Sequence, residues 1–287
     1  MNAIYQKELK SYFTGITGYI FTAIMLVAAG IYTMIYQLSY QYAVFEYVYA
    51  SVTFIYLIAI PILAMRSYPE ERKQKTEQLL YSLPLKMSDI VLGKYLAAVT
   101  VLAIPTAIMT VYPFVLSFYG TFNFKIILST MLCFFLLGCV LLAACMFIST
   151  LTENQILAAL FSFIIVFIVY FASNIEQYSS SSTLISVVLL IIGIILVTLT
   201  VMLLTSNKAL GEMVFTVLAV ALVAILIFKS SLIEGVASAV LEKIAIFENM
   251  YNVIYGSFDL TYVIYLLTIV FLFNFFSIQV LEKRRWA

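Results

Sequence analysis

Eight stretches of this chain are apolar over about the 20 residues that a helix needs to cross the hydrocarbon of a bilayer. They fall at residues 17–36, 48–65, 90–118, 125–149, 155–173, 184–205, 211–228 and 260–280. Hydrocarbon offers the backbone no water, so each stretch must satisfy its own amides as a helix. Hydrophobic residues make up 64% of the 287 and charged residues 10%, against about 45–50% and 25% in soluble domains. So few polar side chains cannot cover so large a core, and apolar surface must face lipid. The expected fold is an all-α polytopic membrane protein, a single transmembrane domain over 1–287.

The count of spans turns on 184–205 and 211–228. Only Thr205 to Leu210 separates them, so they could form a re-entrant hairpin and leave six spans. Each is long enough to cross, which favours eight. The first stretch is too long and aromatic for a cleaved signal peptide, and no small-x-small site follows it. It is expected to stay attached.

Lys and Arg set the orientation. With the N-terminus in the cytoplasm, that side holds twelve of them: Lys7, Lys10, Arg66, Arg72, Lys73, Lys75, Lys86, Lys94, Lys208, Lys283, Arg284 and Arg285. The far side holds Lys125, Lys229 and Lys243. An even number of spans returns the C-terminus to the cytoplasm, so both termini are expected there, in the inner (plasma) membrane.

Several chemistries lack their parts. A net charge of +1 without a basic arm disfavours nucleic acid as a partner. The chain has no histidine, which disfavours an imidazole metal site or catalytic triad. Cys133, Cys139 and Cys145 are six residues apart, do not share a helix face, and read as small buried apolar residues. No Asp, Glu, Lys or Arg stands in the middle of a span, where ion-coupled transporters carry them. Lys94 and Lys125 sit near span ends and can snorkel. Asn274 reads as a helix–helix hydrogen bond, and Ser129 and Thr130 as bonded to their own helix. The phosphate loop needs G-x-x-x-x-G-K-[ST]; around Gly93-Lys94, Ser88 and Tyr95 replace its first Gly and its hydroxyl. Gly93 reads as a helix-packing residue. No catalytic residue, metal or cofactor is expected in this chain. Energy for uphill transport must enter from another polypeptide.

Four segments lie outside the spans. Residues 1–14 place Ile4, Tyr5, Leu9, Tyr12 and Phe13 against Gln6, Lys7, Glu8 and Lys10, the spacing of an amphipathic interfacial helix. Residues 66–89 form the longest polar loop. There Ser67 and Glu70 resemble a capping box with Pro69 in the first turn. Glu71 with Lys75, and Lys73 with Glu77, are four apart as in a paired helix. An apolar end, Leu79, Leu80 and Tyr81, runs to Pro84, and Ser88 or Asp89 caps the next span. A helix over Pro69 to Leu83 follows, shaped to dock a partner; the plainer reading is a solvated charged loop. Thr152, Glu153, Asn154 and Gln155 form a second turn with the spacing of a capping box. Residues 229–258 repeat apolar positions at helical spacing and are expected to form extracytoplasmic interfacial helices.

The run Ser67-Tyr-Pro-Glu-Glu-Arg-Lys-Gln-Lys-Thr-Glu-Gln-Leu-Leu-Tyr-Ser-Leu-Pro-Leu85, continued by Asp89-Ile-Val-Leu-Gly-Lys-Tyr-Leu-Ala-Ala98, resembles the signature of ABC type-2 permeases. There E-[ER]-x-x-x-T-x-[EQ]-x-L-L-x-x-P precedes I-x-x-G-K. Phe147 to Gln155 resembles the turn between spans four and five of that family. Lys7 to Phe13, Phe247-Glu-Asn249 and Leu281 to Trp286 resemble its gliding-motility and copper-enzyme-maturation branch. The resemblance implies an exporter permease that pairs with a second copy or a related permease. It also implies two ATP-binding subunits that hold the ATP and magnesium. Glu70, Glu71, Arg72, Lys73, Thr76, Glu77, Leu79, Leu80 and Leu83 would then dock and couple the ATPase. The competing reading is a non-transporting membrane scaffold or assembly subunit that anchors an ATPase. An intramembrane enzyme would need an acid pair or activated nucleophile, and none is visible in the sequence.

Overall fold

The computed structural model describes residues 1–42, 44–77, 85–120, 122–179 and 245–286, with positions 191, 194, 198, 212, 213 and 215–218. All regular structure among them is helical. The chain divides into two compact units, Met1–Phe167 with Asn249–Ala287, and Ile168–Glu248.

In chain order the first unit begins with α1 (Asn2–Thr14) and α2 (Thr17–Thr33), which continues as a wider π-helical segment, Met34–Ser39. Then come α3 (Glu46–Thr53), α4 (Tyr56–Ala64), α5 (Pro69–Lys73), α6 (Met87–Met109), α7 (Val111–Leu116) and α8 (Phe124–Leu151). The start of α9 (Gln155–Ser179), most of α10 (Ile246–Ile254) and all of α11 (Leu260–Trp286) complete it. In the second unit, Tyr170 of α9 packs edge-on against Phe247, ring centroids 4.9 Å apart.

Five helical segments are long and apolar enough to cross a membrane: Thr17–Ser39, Met87–Leu116, Phe124–Leu151, Gln155–Ala172 and Leu260–Arg285. A sixth crossing is available from α3 and α4, which bend by 59°. The second stretch was expected to be one straight span. It breaks because Phe54, Ile55, Leu57 and Ile58 donate three residues back instead of four, which tightens the backbone there. Six of the eight expected stretches therefore have helices. The two at 184–205 and 211–228 lie outside the described residues, apart from isolated helical positions.

The core is built around α8. Its most apolar window is 72% buried, against 22–33% in the other four long segments. It packs against α3, α4, α6 and α11. Small residues allow the close approach: a Cβ on Gly138 would stand 2.8 Å from Leu102 Cδ2 and 3.0 Å from the Tyr56 hydroxyl. Tyr56 stacks on Phe134 at 4.6 Å and donates to its carbonyl. Cys133, Cys139 and Cys145 are buried free thiols. On α2, Ile20, Ile24, Val27 and Ile31 stay exposed on the protein surface, as lipid-facing side chains would.

The amphipathic helix at the N-terminus forms as α1, but its apolar face is covered by protein. It packs along α6. Ile4 and Tyr12 are buried, and a Cβ on Gly93 would lie 3.1 Å from Ile4. Asn274 corrects an expectation: its amide donates to Val270 of its own helix at 2.9 Å. Ser129 likewise bonds Ile126 of its own helix, whereas the buried Thr130 hydroxyl has no hydrogen-bond partner. Of residues 229–258, α10 is described and 229–244 are not.

Candidate functional site

The polar loop that follows α4 opens with Pro69 at the start of α5, where its fixed φ suits a first turn. The expected capping box does not form. Tyr68 occupies the N-cap position without a side-chain bond. Ser67 instead meets the hydroxyl of Tyr12 at 3.2 Å, and Glu70 takes two bonds from Arg66, the shorter 2.7 Å. The helix also ends earlier than Leu83. Lys75 adopts φ 56°, and bonds from Lys75 N to Arg72 O and Thr76 N to Glu71 O close the chain as a Schellman motif. The Thr76 hydroxyl reinforces that end by donating to Glu71 O. Leu79, Leu80 and Leu83 lie outside the described residues.

The pairs expected within this helix are replaced by longer reaches. Glu71 does not meet Lys75; its carboxylate lies 2.9 Å from both Lys7 of α1 and Lys94 of α6. Lys94 lies 3.0 Å from Glu8, and Lys7 closes the circuit at 4.0 Å from Glu8. Two ammonium and two carboxylate groups thus alternate around a ring that joins α1, α5 and α6. Lys94 does not snorkel. It is 2% exposed, donates to Ser67 O at 2.7 Å, and lies over the Tyr68 ring. A buried ammonium needs such a set of acceptors. Burial alone would push the Glu71 carboxyl up, but Lys94 and Lys7 outweigh it and hold it below the usual carboxylate range.

Arg72, one residue on, points elsewhere. Its Nη1 and Nη2 donate to Thr152 O and Thr150 O, both at 2.7 Å, and its Nε to Glu77 at 3.2 Å. The expected Lys73–Glu77 pair is thereby displaced. The last carbonyls of a helix have no partner within it and carry the negative end of its dipole, so a guanidinium suits the end of α8. Arg284 of α11 donates to Leu151 O at 3.3 Å, and Arg285 to Leu85 O at 3.4 Å. The start of the polar loop and the end of α11 therefore converge on this one helix terminus, and α11 also holds the end of the loop through Arg285.

The second turn lies beside α5. Thr152 does not cap α9, and its hydroxyl is buried without a hydrogen-bond partner. Asn154 caps instead, accepting from Ile156 N at 2.9 Å. Pro69, Glu70, Lys73 and Gln74 form one wall of a cleft of about 790 Å³; Glu153, Asn154, Gln155 and Ile156 form the other. Two segments singled out in the sequence, some 80 positions apart, thus frame one open space. Ser88 and Asp89 do not cap α6, which begins after Lys86 without a side-chain cap.

Lys7, Glu8, Arg66, Lys94 and Arg284 were not singled out for this site. Lys94 left a sequence signal as the Lys of the I-x-x-G-K stretch, and Lys7, Glu8 and Arg284 lay only in the end segments that resemble the family.

The family profile described as ABC-2 family transporter protein matches residues 2–183, well over half of the chain and inclusive of both walls of the cleft. No curated protein and no solved structure matches the chain.

Proposed function

We infer the role of this chain from its family: it belongs to the ABC-2 family of transporter proteins and is a multi-pass membrane permease component of an ABC transporter. Its finer role is that of the membrane-spanning subunit of an ATP-driven exporter, which forms the translocation path and docks a separate ATP-binding subunit. The observation that carries this reading is the cleft between α5 and the α8–α9 turn. Six of its eight lining residues are polar or charged, and it lies at the bundle end where Lys and Arg concentrate, the side expected to face the cytoplasm. The element beneath it is tied to α1, α6 and α8, so force applied there reaches the spans.

Two ATPase copies, with their ATP and magnesium, would sit on a pair of permeases, either two copies of this chain or this chain with a relative. Both termini would be cytoplasmic, in the inner (plasma) membrane. The end segments resemble the gliding-motility and copper-enzyme-maturation branch, which is the branch this reading assigns.

Co-expression with the cognate ATP-binding subunit and purification from membranes tests the reading. The expected result is a stoichiometric complex that hydrolyses ATP, while the chain purified alone does not. Hydrolysis by the pure chain, or no complex at all, would overturn it. A complex whose ATPase rate never responds to any candidate cargo would favour the scaffold reading.

A further inference from the structure

We propose that Arg72 is the positioning residue that carries movement of α5 into α8, the central helix of the bundle. This rests on the docking reading above and goes one step past it, to the bond by which a docked ATPase would reach the core.

Glu71 and Arg72 are consecutive on a helix of five residues, so their side chains leave it about 100° apart. Glu71 goes to Lys94 and Lys7, and so to α6 and α1. Arg72 goes to the carbonyls of Thr150 and Thr152. One short rigid element therefore grips two parts of the bundle through adjacent residues. The Arg72 side chain is only 6% exposed, and both carbonyl bonds are 2.7 Å, short for bonds of this type. A planar fork can hold two carbonyls at fixed spacing, whereas a lysine ammonium is a single point charge on a flexible stem.

The element gripped is suited to transmit. Helix α8 has 28 residues, which makes it about 42 Å long, and it packs against α3, α4, α6 and α11. Interiors packed at this density shift as units instead of absorbing displacement locally. A pull on the Thr150 and Thr152 carbonyls is thus delivered to the far end of α8, at Asn123.

The test uses the complex of the full chain with its cognate ATP-binding subunit. An environment-sensitive fluorophore is placed on Asn123→Cys, with Cys133, Cys139 and Cys145 replaced by Ala, and ATP with vanadate is the trigger. With Arg72 present, the emission is expected to shift on trapping. Arg72→Ala and Arg72→Lys are each expected to lose the shift, read per ATPase bound, by a larger factor than any change in ATPase retention. A loss of packing alone would instead lower recovery and hydrolysis together. A wild-type shift in either variant overturns the proposal. So does loss of the ATPase from the variants, which would make Arg72 a docking residue, and so does a silent probe when Arg72 is present. If Arg72→Ala fails to insert, Arg72→Lys decides alone. Failure of the chain carrying Arg72 to take up an ATPase would instead sink the docking reading itself.

Discussion

The Glu71 carboxylate lies 2.9 Å from the ammonium of Lys94, a contact that joins the first turn of α5 to a residue buried in α6. Neutralising Glu71 removes one of the two carboxylate charges that face a cation buried from water. Glu71→Gln should therefore lower stability by about 1–3 kcal/mol, the cost of a poorly satisfied buried group. Lys7→Ala, at a side chain 58% exposed, should change it by under about 1 kcal/mol. Thermal unfolding of the detergent-solubilised protein separates the two. The sign with pH follows from the lowered carboxyl of Glu71. Its contribution is present above the ordinary carboxylate range and lost as pH falls through the folded value. Acidification should thus narrow the gap between the parent and Glu71→Gln.

At Gly138, α8 lies directly against both α4 and α6. A Cβ there would press on both Leu102 and the Tyr56 hydroxyl, at 2.8 and 3.0 Å. Gly138→Ala should cost about 1–3 kcal/mol through overpacking. Gly30 in α2 meets only the Tyr112 hydroxyl, at 4.0 Å, so Gly30→Ala should be neutral or stabilise by up to about 1 kcal/mol through helix propensity. The two melting temperatures should move in opposite directions, or Gly30→Ala should not move at all; a drop for both would show that α2 packs more tightly than its surface implies.

What could be read from the sequence was whatever depends on period and length. The apolar runs located five long helical segments within a few residues and the bent pair α3 and α4, and the spacing of Ile4, Tyr5, Leu9 and Tyr12 gave α1. Caps were misplaced because a hydroxyl chooses its partner in three dimensions. Ser67 is bonded to Tyr12, 55 positions away, so it was not free to cap. The end of α5 at Lys75 had no glycine to announce it, although the residue takes the left-handed conformation that glycine prefers. Arg72 was picked out as a motif residue, but its targets are backbone carbonyls, which carry no side-chain signature. The ring around Lys94 needed three helices brought together before Lys7, Glu8, Glu71 and Lys94 could be read as one unit.

Orientation is open to a direct test. The twelve-to-three division of Lys and Arg puts α5 in the cytoplasm and the α6–α8 connection outside. Tyr119 is 89% exposed, and Lys73 is exposed in the cleft. In intact cells an impermeant maleimide should label Tyr119→Cys, and it should reach Lys73→Cys only after permeabilisation. Labelling in the reverse order would invert the topology and, with it, the side on which an ATPase could dock.

The cleft makes the sharpest functional prediction. Gln74 and Gln155 stand on its opposite walls, one on α5 and one at the start of α9. If an ATPase seats there, bulk added to either wall should exclude it, since an interface packed like a protein interior has no room for an indole. Gln74→Trp and Gln155→Trp should each weaken ATPase retention at least about tenfold, a loss of 1.4 kcal/mol or more. Gln74 lies outside the spans, Gln155 is the first residue of one, and both lie outside the ring around Lys94, so insertion and melting temperature should hold. Gln41→Trp, beyond the far end of α2, is the matched control and should retain the ATPase. Quantifying ATPase per permease after affinity purification reads all three. If the two cleft variants keep the parental ratio, the ATPase docks elsewhere, and the shared cleft of α5 and the second turn is only a consequence of how Arg72 ties them together.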